Sequence, residues 1–192
     1  MTIRKDKLLI IDIEATCWEG YTVPAGQYNE IIEIGACLLD LNDLTTSDAR
    51  AILVKPMESD ISPFCTQLTA LSPELIAAEG VSFEEACHIL EKEYDSRNRM
   101  WASWGNYDRE IFKKQCKRRK VRYPFSGRHA NLKRVYADVQ GQRAGLQRAF
   151  ESLGLDWIGR AHRGVDDAAN TARLMAHLLG THGLTPLRRR GL

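Results

Sequence analysis

The segment LLIIDIEATCW, residues 8–18, has the β-branched apolar content of a buried central strand, yet it carries two acids, Asp12 and Glu14. Side chains alternate along a strand, so positions i and i+2 share a face. Asp12 and Glu14 therefore project together, while Ile11 and Ile13 pack on the opposite side. Two carboxylates a few ångströms apart repel, and burying them unpaired costs several kcal/mol, because each loses its water without gaining a partner. Two arrangements satisfy this constraint. Either the pair lies on the solvent face of an edge strand, or a divalent cation sits between the two acids, since hard ions such as Mg²⁺ prefer carboxylate oxygens and water.

The rest of the chain supplies a sheet for that strand to enter. EIIEIGACLLDL (30–41) alternates as a half-buried strand does, and ARAILVKP (49–56) reads as a third, stopped by Pro56. These three form an expected antiparallel meander. From SPELIAAEG onward the period is helical: Ser72 and Pro73 open one helix that Gly80 stops, and the Ser82/Glu85 pair opens another that places Phe83, Ala86, Ile89 and Leu90 on one face. RMWASW (99–104) is a short fourth strand, followed by a helix over YDREIFKKQCKRR. ANLKRVYADV suits a strand or a helix, and GLQRAFESLG and VDDAANTARLMAHLLG are closing helices. Strands first, then strand and helix alternating, predict an α/β fold with a mixed sheet flanked by helices. At 192 residues there is room for one core. The expected organisation is a single domain over 1–182 with a basic tail over 183–192.

Composition narrows the function classes. With 44% hydrophobic and 27% charged residues, the chain reads as a soluble globular domain rather than a disordered one. No window approaches the ~20 apolar residues of a membrane helix. The N-terminal MTIRKDKLLIIDIE turns acidic too early for a secretory leader. Five cysteines, Cys17, Cys37, Cys65, Cys87 and Cys116, are odd in number and widely spaced, which gives neither a disulfide framework nor a zinc pair and points to the cytoplasm. The net charge of +2 implies no polyanion partner by itself. Cations are nevertheless concentrated in KKQCKRRKVR (113–122), either as a solvated helix face or as a phosphate-binding one.

Two further segments add acids. In WASWGNYDREIF, Asp108 follows a strand end and opens a helix, as an N-cap or as an acid reaching over the sheet. In AHRGVDDAANTARLM, Asp166 and Asp167 begin the last helix, with Asp166 able to cap it and Asp167 free to face elsewhere. His162 lies five residues before Asp167 in a Gly-containing loop, a suitable position for proton transfer. Four acids and one histidine suit metal-assisted phosphoryl hydrolysis.

In order, DIEAT (12–16), NEIIEIGA (29–36), SPFCTQLTALSPELI (62–76), WGNYD (104–108) and HRGVDDAANTARL (162–174) resemble the motifs of the DEDDh 3′-to-5′ exonucleases of the RNase T and polymerase-proofreading superfamily. FCTQLT is most similar to the Eri-type enzymes that trim RNA 3′ ends. The resemblance spans residues 8 to about 178. It implies a ribonuclease H-like, mixed five-stranded sheet flanked by α-helices. It further implies two Mg²⁺ or Mn²⁺ ions held by Asp12, Glu14, Asp108 and Asp167, with Asp12 between them, and His162 as general base toward the attacking water. The product would be a nucleoside 5′-monophosphate. LTALSP departs from the family in carrying Ala70 where glycine is usual, which touches a turn rather than the chemistry.

For substrate grip, Phe64, placed in a loop beside Pro63, and Tyr107, next to Asp108, are candidates to sandwich the terminal base, or else are core residues. Ala15, Thr16 and the backbone after Glu14 would meet the terminal sugar, with Trp18 and His162 close by. The expected partner is a single-stranded RNA 3′ end, and the basic run would track upstream phosphates. DNA as substrate, or a catalytically silent RNA-binding module, are the competing readings. Related exonucleases include homodimers, but no exposed apolar stripe commits this chain to one.

Overall fold

The computed structural model describes residues 3–189. Five strands, β1 (Arg4–Ala15), β2 (Ile31–Asp40), β3 (Thr46–Leu53), β4 (Arg99–Ser103) and β5 (His129–Asn131), form one sheet in the order β3-β2-β1-β4-β5. The first three make the expected antiparallel meander, and β4 and β5 add parallel to β1. The strand bearing Asp12 and Glu14 is thus central, which removes the edge-strand arrangement. Segment 129–140 is both strand and helix: β5 passes directly into α5 (Leu132–Gln140), which Asn131 caps by accepting from Arg134 N at 3.1 Å.

Alternation along β1 sends its side chains into two cores. Leu8 and Ile10 join Cys37, Leu39, Met100 and Ala102 under α5 and the long α7 (Gly164–His182). Leu9, Ile11 and Ile13 join Ile34, Ala36 and Trp101 under α3 (Phe83–Tyr94) and α4 (Tyr107–Arg119). Asp12 and Glu14 share the parity of Leu8 and Ile10, so they emerge where α7 begins. On the other face, the buried Gln115 of α4 accepts from Ile31 N at 2.8 Å, tying that helix to the start of β2.

Three serines start helices by accepting a backbone N–H from the third residue on. Ser72 (from Leu75) and Ser82 (from Glu85) do so as expected for α2 (Pro73–Glu79) and α3. Ser62 does the same for Cys65, and this cap creates α1 (Pro63–Thr69). Phe64 is therefore on a helical turn, not in the loop expected from the sequence. Ala70 ends α1 in the left-handed region, φ 60°, with its N–H bonded to Thr66 O. The expected tail is also partly corrected. After α6 (Leu146–Ser152) and α7, residues Thr185–Arg188 form α8, whose Leu187 is fully buried against the α5/α7 core. Positions 190–192 lie outside the described residues.

The site depends on a close approach of backbones. Gly35 of β2 faces the first residue of α7, and a Cβ there would lie 1.9 Å from Gly164 O and 2.0 Å from Gly164 C. Neither atom belongs to a flexible side chain, so only glycine lets α7 start here. Gly35→Ala is expected to lower stability by ~3 kcal/mol, the upper range for an overpacked core, read as a fall in the urea midpoint, whereas Gly127→Ala, in open space, should leave it unchanged. Ala70→Gly should stabilise the chain by about 1 kcal/mol, read as a higher midpoint, because an L-residue in the left-handed region carries that strain and glycine does not.

Candidate active site

The carboxyl ends of the parallel strands β1 and β4 lie side by side, the usual place for ligands in a sheet of this kind. Three acids meet there. Ligand oxygens of Asp12, Glu14 and Asp167 all lie within 4.8 Å of one another. Two come from adjacent same-face positions of β1 and the third from the first turn of α7. Asp108, in the first turn of α4, is 5% exposed and stands outside that closest group. Its Oδ1 accepts from Ile13 N at 3.1 Å. The β1–β4 ladder has ended by that point, so Asp108 satisfies a backbone donor that no neighbouring strand reaches. The N-cap position of α4 belongs to Asn106, not Asp108.

The electrostatics follow from the enclosure. Loss of hydration, then the charges of Asp108, Asp167, Glu14 and Glu33, push Asp12 well above the usual carboxylate range. Glu14 is raised to about 8, first by burial and then by Asp167, Glu33 and Asp108. Asp167 is raised to about 7 by burial, against backbone N–H groups of Arg163 and His162 that favour its charged form. Burial raises Asp108 as well. Within the site Arg163 is the cation that eases Glu14, and it is itself committed to Glu33. A cluster of carboxylates without matching countercharge fits a hard divalent cation.

Glu33 is the residue that sequence reasoning missed. It lies directly across from Glu14 in the β1/β2 register and is fully buried. Like charges facing across a ladder are unfavourable, but Glu33 is fully engaged elsewhere. It accepts from Gly164 N at 3.0 Å and from Arg163 Nε at 3.2 Å and a second guanidinium nitrogen at 3.4 Å. The signal was an acid on the α7-facing parity of an otherwise apolar NEIIEIGA. Its effect is to fasten the loop that carries His162. That histidine is exposed, with φ 62°, one residue before the N-cap position, which is Arg163. Asp166 is not the cap: its carboxylate accepts from Arg160 N at 2.8 Å and closes the 159–162 loop, leaving Asp167 to face the cleft.

Of the expected substrate contacts, Tyr107 is 56% exposed at the cleft beside Asp108. Its hydroxyl is pushed up to about 12 by local burial and then by Asp108 and Glu14. Phe64 is half-buried on α1, which packs on the end of β1 where Cys65 Sγ lies 3.7 Å from Ala15 O. Ala15 is buried, and Trp18 is half-buried just before a short 3₁₀ turn. Thr16 needs correction. Its hydroxyl has no exposure, donates to Tyr28 O at 2.7 Å and accepts from Glu30 N at 2.9 Å, so it joins two loops rather than presenting itself to a sugar. The basic run 113–122 is corrected in part. Arg119 pairs with buried Glu30 and with Glu58, and Arg118 lies 3.2 Å from the centre of the Tyr28 ring. Lys113, Lys114, Lys117 and Lys120 remain exposed.

Comparison with known proteins agrees with this geometry. The model of the exonuclease family RNase_T matches residues 9–175. The 3′-5′ exoribonuclease 1 of Rattus norvegicus is 31% identical over 185 residues, covering 91% of this chain and 53% of its own length. This chain thus spans about half the length of that relative. A probable 3′-5′ exonuclease, KapD of Bacillus subtilis, is 28% identical, covering 88% of this chain and 82% of its own. Among solved structures, the nuclease domain of 3′hExo, a DEDDh family member bound to rAMP, superposes with a TM-score of 0.83 at 27% identity, covering 94% of this chain and 95% of that one. The chain belongs to the RNase T exonuclease family, on its DEDDh, Eri-type branch.

Proposed function

We propose that the chain is a divalent-metal-dependent 3′-to-5′ exoribonuclease that removes nucleoside 5′-monophosphates from single-stranded RNA ends. The observation that carries this reading is the convergence of Asp12, Glu14 and Asp167 within 4.8 Å, beside a loop that holds His162 and next to buried Asp108. The RNA preference is supported by similarity to exoribonuclease 1 and to a 3′-exonuclease solved with a histone mRNA stem-loop (TM-score 0.82, 28% identity, 92% of this chain and 82% of that one). Five cysteines without a disulfide support a reducing compartment such as the cytoplasm.

In this reading Asp12, Glu14, Asp108 and Asp167 would hold two Mg²⁺ or Mn²⁺ ions. The pair of ions would acidify the attacking water and stabilise the leaving oxygen. His162, exposed at the cleft, accepts the proton of that water. Asp167 and Glu33 keep its loop in place through the Arg163 and Gly164 backbone. Tyr107 and Phe64 offer ring faces to the terminal base, each worth ~1–3 kcal/mol. Sugar contact falls to the backbone at Ala15, since the Thr16 hydroxyl is engaged.

The direct test is 5′-labelled single-stranded RNA and matched DNA, incubated with Mg²⁺, Mn²⁺ or chelator. A metal-dependent ladder shortening from the 3′ end, faster on RNA, is expected. His162→Ala should lower kcat by roughly a hundredfold to ten-thousandfold, the contribution of a positioned base. Glu14→Ala should lower it by roughly a thousandfold or more, since several kcal/mol of charge stabilisation is lost. Shortening that survives in chelator, or a fully active His162→Ala, sinks the proposed roles. If neither polymer shortens with any metal, the binding-module reading replaces the enzyme.

A second expectation concerns pH. Asp12, Glu14, Asp108 and Asp167 are all raised in the folded chain, so the folded form keeps protons that the unfolded one releases above pH ~4. Their contribution to stability is complete below that pH and is lost as pH rises through the folded values, about 7 for Asp167 and about 8 for Glu14. In chelator the melting temperature should therefore fall between pH 6 and pH 8.5, less steeply for Glu14→Gln. Saturating Mg²⁺ or Mn²⁺ should restore it by roughly 5 °C or more at the alkaline end, because binding needs the ionised ligands. A flat profile in chelator would count against the mutual repulsion.

A further inference from the structure

Beyond the acidic cleft, the first turn of α5, the loop 141–145 and α6 surround a concavity of about 360 Å³ lined by Asn106, Lys133, Arg134, Arg143 and Arg148 among others, with no acid in the lining. A second hollow of about 350 Å³ shares Arg143 and Arg148 and runs on toward Ser152. Several arginines elsewhere are matched: Arg118 and Arg119 pair with Glu58, Arg163 with Glu33, and Arg99 with Asp6. Among the described residues none of the four cations of the concavity forms an ion pair with a carboxylate. Arg134, Arg143 and Arg148 are exposed, and Lys133 is half-buried.

The concavity is built into the fold rather than carried on a free loop. Trp104 Nε1 donates to Ala144 O at 3.3 Å, and Asn131 Nδ2 donates to Asn106 Oδ1 at 3.0 Å. These bonds join it to the segment that leads into α4, where Asn106 lies one residue from Tyr107 and two from Asp108. Strands β1, β4 and β5 are parallel neighbours, so their carboxyl ends lie along one edge of the sheet. The acids stand at the end of β1, and Lys133 and Arg134 follow the end of β5, two strand spacings or roughly 10 Å away. That separation is short enough for a strand whose 3′ end lies at the acids to place nearby upstream phosphates over the cations. An acidic pocket that repels phosphates would then be flanked by a basic one that holds them.

We propose that this concavity binds backbone phosphates of single-stranded RNA upstream of the scissile bond. Lys133, Arg134, Arg143 and Arg148 grip the strand, in place of Arg118 and Arg119 of α4, which the Tyr28 ring and the Glu30 and Glu58 carboxylates already hold. The identity of the strand rests on the exoribonuclease reading; the anion site itself does not.

The experiment is fluorescence anisotropy of labelled RNA with the full chain in chelator, across a salt series, comparing a trinucleotide with a dodecanucleotide. The wild type should prefer the longer strand by roughly tenfold or more, with an affinity that falls steeply with salt. In the double variant R143Q/R148Q, which alters two exposed side chains, that preference should collapse to under about threefold. Its salt slope should be shallower by about 1.4, two phosphate contacts at ~0.7 each on a single strand. K133Q/R134Q should behave alike. Unchanged length preference and salt slope in both variants would overturn the proposal, as would their loss in K113Q/K117Q instead. Binding in chelator needs no cleavage. A chain that shows the Arg143- and Arg148-dependent preference yet shortens nothing in metal therefore upholds the groove while removing the exoribonuclease reading.

Discussion

Contact between the backbone of β2 and the first turn of α7 is the constraint from which the rest of the site follows. Gly35 has no side chain, so Gly164 can sit against it, and Gly164 in turn lies close to Asp12 O. Asp167, three residues into α7, is thereby delivered to the carboxylates of β1. Glu33 holds this approach in place by accepting from the Gly164 N–H and the Arg163 guanidinium. The pair is fully buried on the acid side, and removing one partner of such a pair typically costs ~3–5 kcal/mol. The acid that fastens this approach is thus distinct from the three acids whose oxygens converge beside it.

Most of the fold was legible because β1 and β2 are unambiguous. Continuous β-branched runs with alternating polar intrusions admit few arrangements, and two acids two residues apart can only point one way. The meander, the Ser72 and Ser82 caps and the helix over α7 all followed from local pattern. What escaped was one short local cap and contacts made across loops. Ser62 looks like a loop serine until its bond to Cys65 N makes α1. Thr16 looks like a free hydroxyl beside the cleft until Tyr28 and Glu30, a dozen residues on, occupy it. The buried end of the chain at Leu187 was hidden because the cations around it dominate the composition.

Charge is distributed by the same logic. A basic run on one helix appears from its composition to be a polyanion track, yet Arg118 and Arg119 clamp the loop that carries Glu58 and close over buried Glu30. Their charge is used inside the molecule. Cations scattered through α5, the loop after it and α6 make no motif, because they come from short segments with ordinary polar neighbours. Only the sheet edge gathers them.

Two adjacent acids at the start of α7 show how the fold sends neighbouring carboxylates to different partners. Asp166 turns back to the loop, accepting from Arg160 N, and a Cβ on Gly159 would strike its carboxyl at 2.4 Å. That loop needs Gly159 at φ 81° and brings His162 to φ 62°, a conformation that a non-glycine residue adopts at a cost of ~1–3 kcal/mol. Asp167 faces the other way, into the carboxylate cluster. The turn of the helix separates the two by roughly 100°, the angle that 3.6 residues per turn assigns to neighbours. Adjacent positions in the chain can therefore serve the loop and the carboxylate cluster without sharing a partner. The strained loop at His162 is held by Asp166 on one side and by Glu33 through Arg163 and Gly164 on the other, two acids engaged by the chain's own backbone and by a guanidinium.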